Sequence, residues 1–236
     1  MRTFSFAKGL ILAGLTVLAA PASAANLVVN PGFESGNTGF TSGYAYSPGN
    51  LLSAGTYDVG SSPKADNGFF TYNTPPHSGN LEMIVNGAST ANVPVWGESG
   101  ISVLANTTYY FSAWIASVTS TSPAQLDFSI NGSQIGSTFT ATSTGEYEEF
   151  FATWSSGAAT TASLSLVNQN TAAGGNDFVL DDILLDTTAP GGGTSVGGTG
   201  TGQTSVPEPS GLLLIGGGLL AFALLRRRSF ASYATS

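Results

Sequence analysis

An antiparallel β-sandwich, or jelly roll, is the fold class this sequence predicts, on three observations. Between Asn26 and Thr188 no apolar period of 3.6 residues persists, because Ser, Thr, Gly and Asn interrupt every window. Short runs rich in β-branched and aromatic residues recur there instead. One of them ends in Asn131-Gly132, the strongest short-range hairpin signal. Short strands separated by frequent turn residues are how a sandwich is written.

The elements follow in chain order. Asn26–Val29 is an apolar opening strand, and Leu81–Val85 a second. From Gly36 to Gly79 there are turn residues and scattered aromatics (Tyr44, Tyr46, Tyr57, Phe69, Phe70, Tyr72) with no clean period. Such a long loop region either faces a ligand or packs on the sandwich. Thr107–Ile115 is dense in β-formers, with Tyr109, Phe111, Ala113 and Ile115 the more apolar set and therefore inward. Tyr110, Ser112 and Trp114 then share the outer face. Leu126–Ile130 alternates strictly and leads into the hairpin turn. Glu149–Trp154, Ala162–Val167 and Phe178–Leu185 complete the set, with Phe151 outward if Phe150, Ala152 and Trp154 point in.

Composition excludes several chemistries. Only 8% of residues are charged and none is cysteine, which removes disulfides, thiolate metal sites and a Cys nucleophile. The one histidine, His77, lies in a Pro/Ser/Gly loop context, and no triad or Gly-rich phosphate loop surrounds it. Between Asn26 and Thr188, thirteen acids face Lys64 alone, a net charge of −12. That surface repels nucleic-acid phosphates and anionic polysaccharide and favours neutral ligands or cations. Carboxylates abound but no flanking motif marks a glycosidase pair, so the sequence predicts no enzyme. Thr138, Thr140, Thr142 and Thr144 alternate, yet one stretch is not the repeated array that ice binding needs.

The two ends read as addresses. Residues 1–24 carry Arg2 and Lys8, an apolar run from Gly9 to Ala20, and Ala22-Ser23-Ala24, the pattern of a cleaved secretory signal peptide. Residues 189–205 form a Gly/Ser/Thr linker. Then come Pro207-Glu208-Pro209, an apolar run from Gly211 to Leu225, the cluster Arg226-Arg227-Arg228, and a tail at 229–236. The run is shorter than the roughly 20 residues a spanning helix wants, and the arginines are expected to stay cytoplasmic. This tripartite order over 206–228 resembles the PEP-CTERM sorting signal of exopolysaccharide-producing Gram-negative bacteria. The resemblance implies an inner-membrane anchor, processing by an exosortase-type protease, and delivery to the cell surface or extracellular matrix.

A second resemblance covers the domain at 26–188. Asn26–Glu34, His77–Gly87 with Asn106–Trp114, and Phe178–Ile183 are similar, in that order, to the opening, middle and last strands of galactose-binding-like jelly rolls, which include many carbohydrate-binding modules. Such modules often hold a structural calcium between first and last strands, and Glu34, Asp181 and Asp182 match those positions. Calcium would also give a reason for adjacent acids inside an apolar run, since unpaired buried carboxylates are costly. Strand alternation sends Asp181 and Asp182 to opposite faces, so one of them is expected to bind. Tyr110, Trp114 and Trp96 are the candidate rings for stacking on sugars. The expected function is a non-catalytic module that holds a neutral polysaccharide of the biofilm matrix. A structural surface protein without a specific ligand is the alternative.

Overall fold

The structure, a computed structural model, describes residues 25–190. The signal peptide, most of the linker, the sorting signal and the tail inferred from sequence, with the apolar runs they contain, lie outside the described residues. Among the described residues no helix is long and apolar enough to cross a membrane.

Two sheets face each other, as the alternation predicts. The strands are β1 (Ala45–Tyr46), β2 (Thr56–Gly60), β3 (Glu82–Asn86), β4 (Pro94–Ser102), β5 (Thr108–Ser117), β6 (Gln125–Ile130), β7 (Ser133–Thr140), β8 (Glu148–Ser155), β9 (Thr161–Asn168) and β10 (Phe178–Asp186), with one short helix, α1 (Pro63–Asp66). One sheet has the order β1-β2-β3-β10-β5-β8 and the other β4-β9-β6-β7. All pairings are antiparallel except the two-residue β1–β2 contact. Asn131 and Gly132 both take positive φ (51° and 76°) and turn β6 into β7, the primed turn whose twist suits a hairpin.

The core lies between the inner faces. Phe111, Phe128 and Phe150 interlock there, with Phe128 and Phe150 stacked at 4.1 Å. Phe33, Tyr109, Phe178 and Leu180 fill the same cluster. A smaller cluster sits on the outer face of the six-stranded sheet, where Leu51 and Phe70 cover Ile84, Ala116, Val118 and Val179. The long region after Gly36 is therefore part of the packing. It carries β1, β2 and α1, while Phe69, Tyr46 and Tyr72 stay exposed.

One expected strand is absent. Asn26–Val29 runs beside β10 without joining the ladder. The Leu27 N–H donates to the Leu185 carbonyl at 3.0 Å, but the next partners are side-chain atoms of Asn26. Its Oδ1 accepts from the Leu185 N–H (3.0 Å) and its Nδ2 donates to the Ile183 carbonyl (2.7 Å). An amide side chain thus replaces the backbone groups that a regular strand would offer.

Candidate functional site

The outer face of the six-stranded sheet gathers most of the residues singled out from the sequence. Tyr109, Phe111, Ala113 and Ile115 are buried inward, and Tyr110 and Trp114 are half-buried on the opposite side. Phe151 of β8 sits opposite Ser112 on the same outer face. The Tyr110 and Phe151 rings lie nearly parallel, with centroids 5.9 Å apart and an interplanar angle of 23°. Trp114, Phe151 and Tyr110 therefore form a strip about 13 Å long at ~3.3 Å per residue.

Trp114 is not an open platform. The His77 ring lies flat against it, centroids 4.0 Å apart and planes 15° from parallel. Tyr147 closes on His77 edge-on at 5.1 Å, and His77 Nδ1 is 2.6 Å from Asp182 Oδ2. The loop histidine of the sequence thus occupies the stacking surface expected for a sugar. Tyr110 and Phe151 are the rings left partly open.

The acids depart from the simple strand pattern. β10 shifts register between Asp181 and Leu184, and Asp182 takes a positive φ of 45°. This bulge overturns the expectation of opposite faces. Both carboxylates approach Gly32, where a Cβ would meet Asp182 Oδ1 at 3.2 Å and Asp181 Oδ1 at 3.5 Å. Donors from one loop hold the pair: the Ser78 N–H reaches Asp181 Oδ2 (3.1 Å) and the Ser78 hydroxyl reaches Asp182 Oδ1 (2.7 Å). Glu34 instead accepts the N–H groups of Asn80 (2.7 Å) and Leu81 (2.8 Å), which hold its carboxyl below the usual range. Its carboxylate fills the space beside Gly79 that a Cβ would need. Among the described residues no three acidic or histidine side chains come together in metal-ligand geometry. The loop from His77 to Leu81 thus grips Glu34 at one end and the Asp pair at the other.

Directly after that loop comes Glu82, an acid the sequence did not mark. Glu82 of β3 is 0% exposed, accepts the Tyr147 hydroxyl on Oε2, and has no hydrogen-bond partner on Oε1. Burial pushes its carboxyl up to about 8, with the charges of Asp181 and Asp66 adding to the rise. Burial, then the Asp58 carboxylate, takes Asp66 to about 6. Asp181 also reaches about 6, through burial and despite the Ser78 N–H. Burial, then the Glu82 carboxylate, holds the Tyr147 phenol above its ordinary range. The only available clue was an acid heading an apolar run, Glu82-Met83-Ile84-Val85.

Trp96 must be withdrawn from the sugar-stacking set. It is 2% exposed and belongs to the main core. A register shift between Pro94 and Trp96 puts both Val95 and Trp96 inside, where plain alternation would expose one. The Thr41 segment then covers the neighbouring Gly97 through paired backbone bonds of 2.8 and 2.9 Å.

Residues 205–228 match the PEP-CTERM protein-sorting motif. No curated protein matches the chain. Among solved structures it is similar to the EclA C-terminal domain, described as a sugar-binding protein, at 17% identity over 39% of this chain, with a TM-score of 0.37. It is similar to the CBM22-1-CBM22-2 tandem domain of Xyn10C from Paenibacillus barcinonensis at 18% identity over 73% of this chain, TM-score 0.46. It is also similar to TmCBM61 in complex with β-1,4-galactotriose, at 14% identity over 68% of this chain and 97% of that one, TM-score 0.45. The chain spans 66% of the EclA domain and 49% of the tandem domain. Its described residues form two facing, nearly all-antiparallel sheets, and the chain carries a PEP-CTERM sorting motif at residues 205–228.

Proposed function

We propose that this protein is an exported, surface-sorted, non-catalytic module that holds a neutral polysaccharide of the extracellular matrix. The sorting motif supports the surface destination and processing by an exosortase-type protease. The observation that carries the binding reading is the Tyr110–Phe151 pair, two near-parallel rings left partly open on a sheet face. Flat rings stack on the apolar faces of sugars, and the His77–Trp114 stack forms a wall at one end of the strip. The charge of −12 over residues 26–188 turns anionic glycans away.

Retention of the domain (residues 25–190) on immobilised neutral polysaccharides tests this reading. Tyr110→Ala or Phe151→Ala is expected to weaken retention about tenfold, equivalent to about 1.4 kcal/mol, with an unchanged melting temperature. A domain retained on no polysaccharide, or equally by both variants, would leave the structural surface protein as the better account.

Calcium belongs to the same proposal. Asp181 and Asp182 bring two carboxylates together beside Gly32, and a hard cation there would displace the Ser78 and His77 contacts that hold them. These two residues would hold it, and the ion would tie the opening segment to β10. Calcium at about a hundred times its Kd should stabilise the domain by about 2.7 kcal/mol through linkage. Melting in calcium and in EDTA checks this, with Asp182→Asn as the variant that loses the difference. Equal melting temperatures in the two buffers would remove the ion.

A further inference from the structure

The geometry points to a second carbohydrate site, in a cavity at the end of the sandwich where β3 and β5 finish and β10 begins. The cavity measures about 370 Å³, and its lining includes Asn67, Phe69, Asn86, Thr119, Thr121 and Asp177. That volume is in the range of small-ligand sites. Its lining combines amides and hydroxyls with two phenylalanines and a single carboxylate, and carries no cation.

Phe69 is the first reason to assign a ligand. Its ring is 87% exposed, the most exposed large apolar side chain among the described residues, although Phe70 beside it is buried in the outer cluster. The Phe69 N–H donates to Asn67 Oδ1 at 3.0 Å, and Asn67 Nδ2 donates to the Leu51 carbonyl at 2.7 Å, so the ring's base is fixed. An exposed aromatic ring on an anchored backbone at the rim of a polar cavity matches a sugar, which has an apolar face and a hydroxyl edge.

Asp177 is the second reason. It is buried yet lines the cavity, and burial raises its carboxyl to about 6. Oδ1 accepts the Gly87 N–H at 3.0 Å, while Oδ2 takes no hydrogen bond from the described residues. A ligand hydroxyl would take the place of the solvent that reaches that oxygen from the cavity. The wall behind it is built for one shape. Asn176 Nδ2 donates to the Ala88 and Asn170 carbonyls (3.2 and 2.7 Å). Gly175 takes a φ of 94°, and a Cβ there would collide with the Thr121 carbonyl. No cation balances Asp177 within the lining, so an anionic ligand is disfavoured and a neutral sugar fits.

This site deepens the reading of the protein as a sugar-binding module, and it shares no residue with the Tyr110–Phe151 strip. The test uses the purified exported chain and a panel of neutral monosaccharides (galactose, glucose, mannose and xylose), followed by calorimetric titration and saturation-transfer NMR. At least one sugar is expected to bind, with a tenfold or greater loss in Phe69→Ala and in Asp177→Asn and less than a twofold change in Tyr110→Ala. Phe69→Ala removes a solvent-exposed ring, so its fold should survive, and a thermal melt verifies that. If sugars bind but Phe69→Ala and Asp177→Asn leave the affinity within twofold, the cavity is not the site. If no monosaccharide binds while polysaccharide retention still depends on Tyr110, the second site is overturned and the strip stands. If neither assay detects binding, both proposals fall.

Discussion

Lowering the pH from 8 to 5 is expected to raise the melting temperature of the domain, and Glu82→Gln is expected to abolish most of that rise. The Glu82 carboxyl is pushed from 4.5 to about 8 by burial beside Asp181 and Asp66. Between those two values the folded state holds a proton that the unfolded state has released. Stability therefore falls as pH climbs through this window, is fully present below about 4.5, and stops changing above about 8. Asp66, Asp177 and Asp181, each taken from 3.8 to about 6, bend the same way over the lower part of the range. At about 1.4 kcal/mol per pH unit and per proton, Glu82 alone changes stability by a few kcal/mol between pH 5 and 8. The uncharged amide of Gln keeps an acceptor for the Tyr147 hydroxyl and removes the buried charge. The variant should therefore melt at least as high as the parent at pH 8. Thermal melts at half-unit pH steps decide it: a variant with the parent's slope would mean that Glu82 is ionised in the fold throughout.

Sequence reading assigned the faces of a strand correctly where period two runs unbroken. Along Thr107–Ile115 each inward and outward assignment holds, and Asn131-Gly132 turns where its φ preferences require. The failures fall where the backbone leaves that period. Bulges are set by cross-strand register, which alternation cannot report. One in β4 hid Trp96 in the core, and one in β10 brought Asp181 and Asp182 together. At Asn26 a side chain took over the hydrogen bonds of a strand. The site was legible as a set of residues on β5 and β10 but not as a surface. Only the path of the loop shows that His77 lies on Trp114, 37 positions later in the chain. The buried acids were invisible for a similar reason. Glu82 looks like an ordinary strand-end carboxylate until Tyr147 and the outer loop close over it.

Trp96→Ala is expected to be among the most damaging single substitutions in the domain. Trp96 is one of the largest fully buried side chains, and it joins the core where β4 packs beside β9. Removing a buried aromatic ring loses its transfer free energy and leaves a cavity that close-packed neighbours fill only in part. The expected loss is about 3–5 kcal/mol, which lowers the melting temperature of a domain this size by about 10 °C. Trp114→Ala should cost much less, because Trp114 is only partly buried and one ring face meets the His77 ring rather than the core. Both tryptophans were candidate sugar-stacking rings from the sequence, so the pair is an internal control. Equal thermal losses in both variants would contradict the assignment of Trp96 to the core and of Trp114 to the outer face. A large loss confined to Trp96→Ala, with polysaccharide retention lost in proportion to the unfolded fraction only, is what a purely structural Trp96 requires.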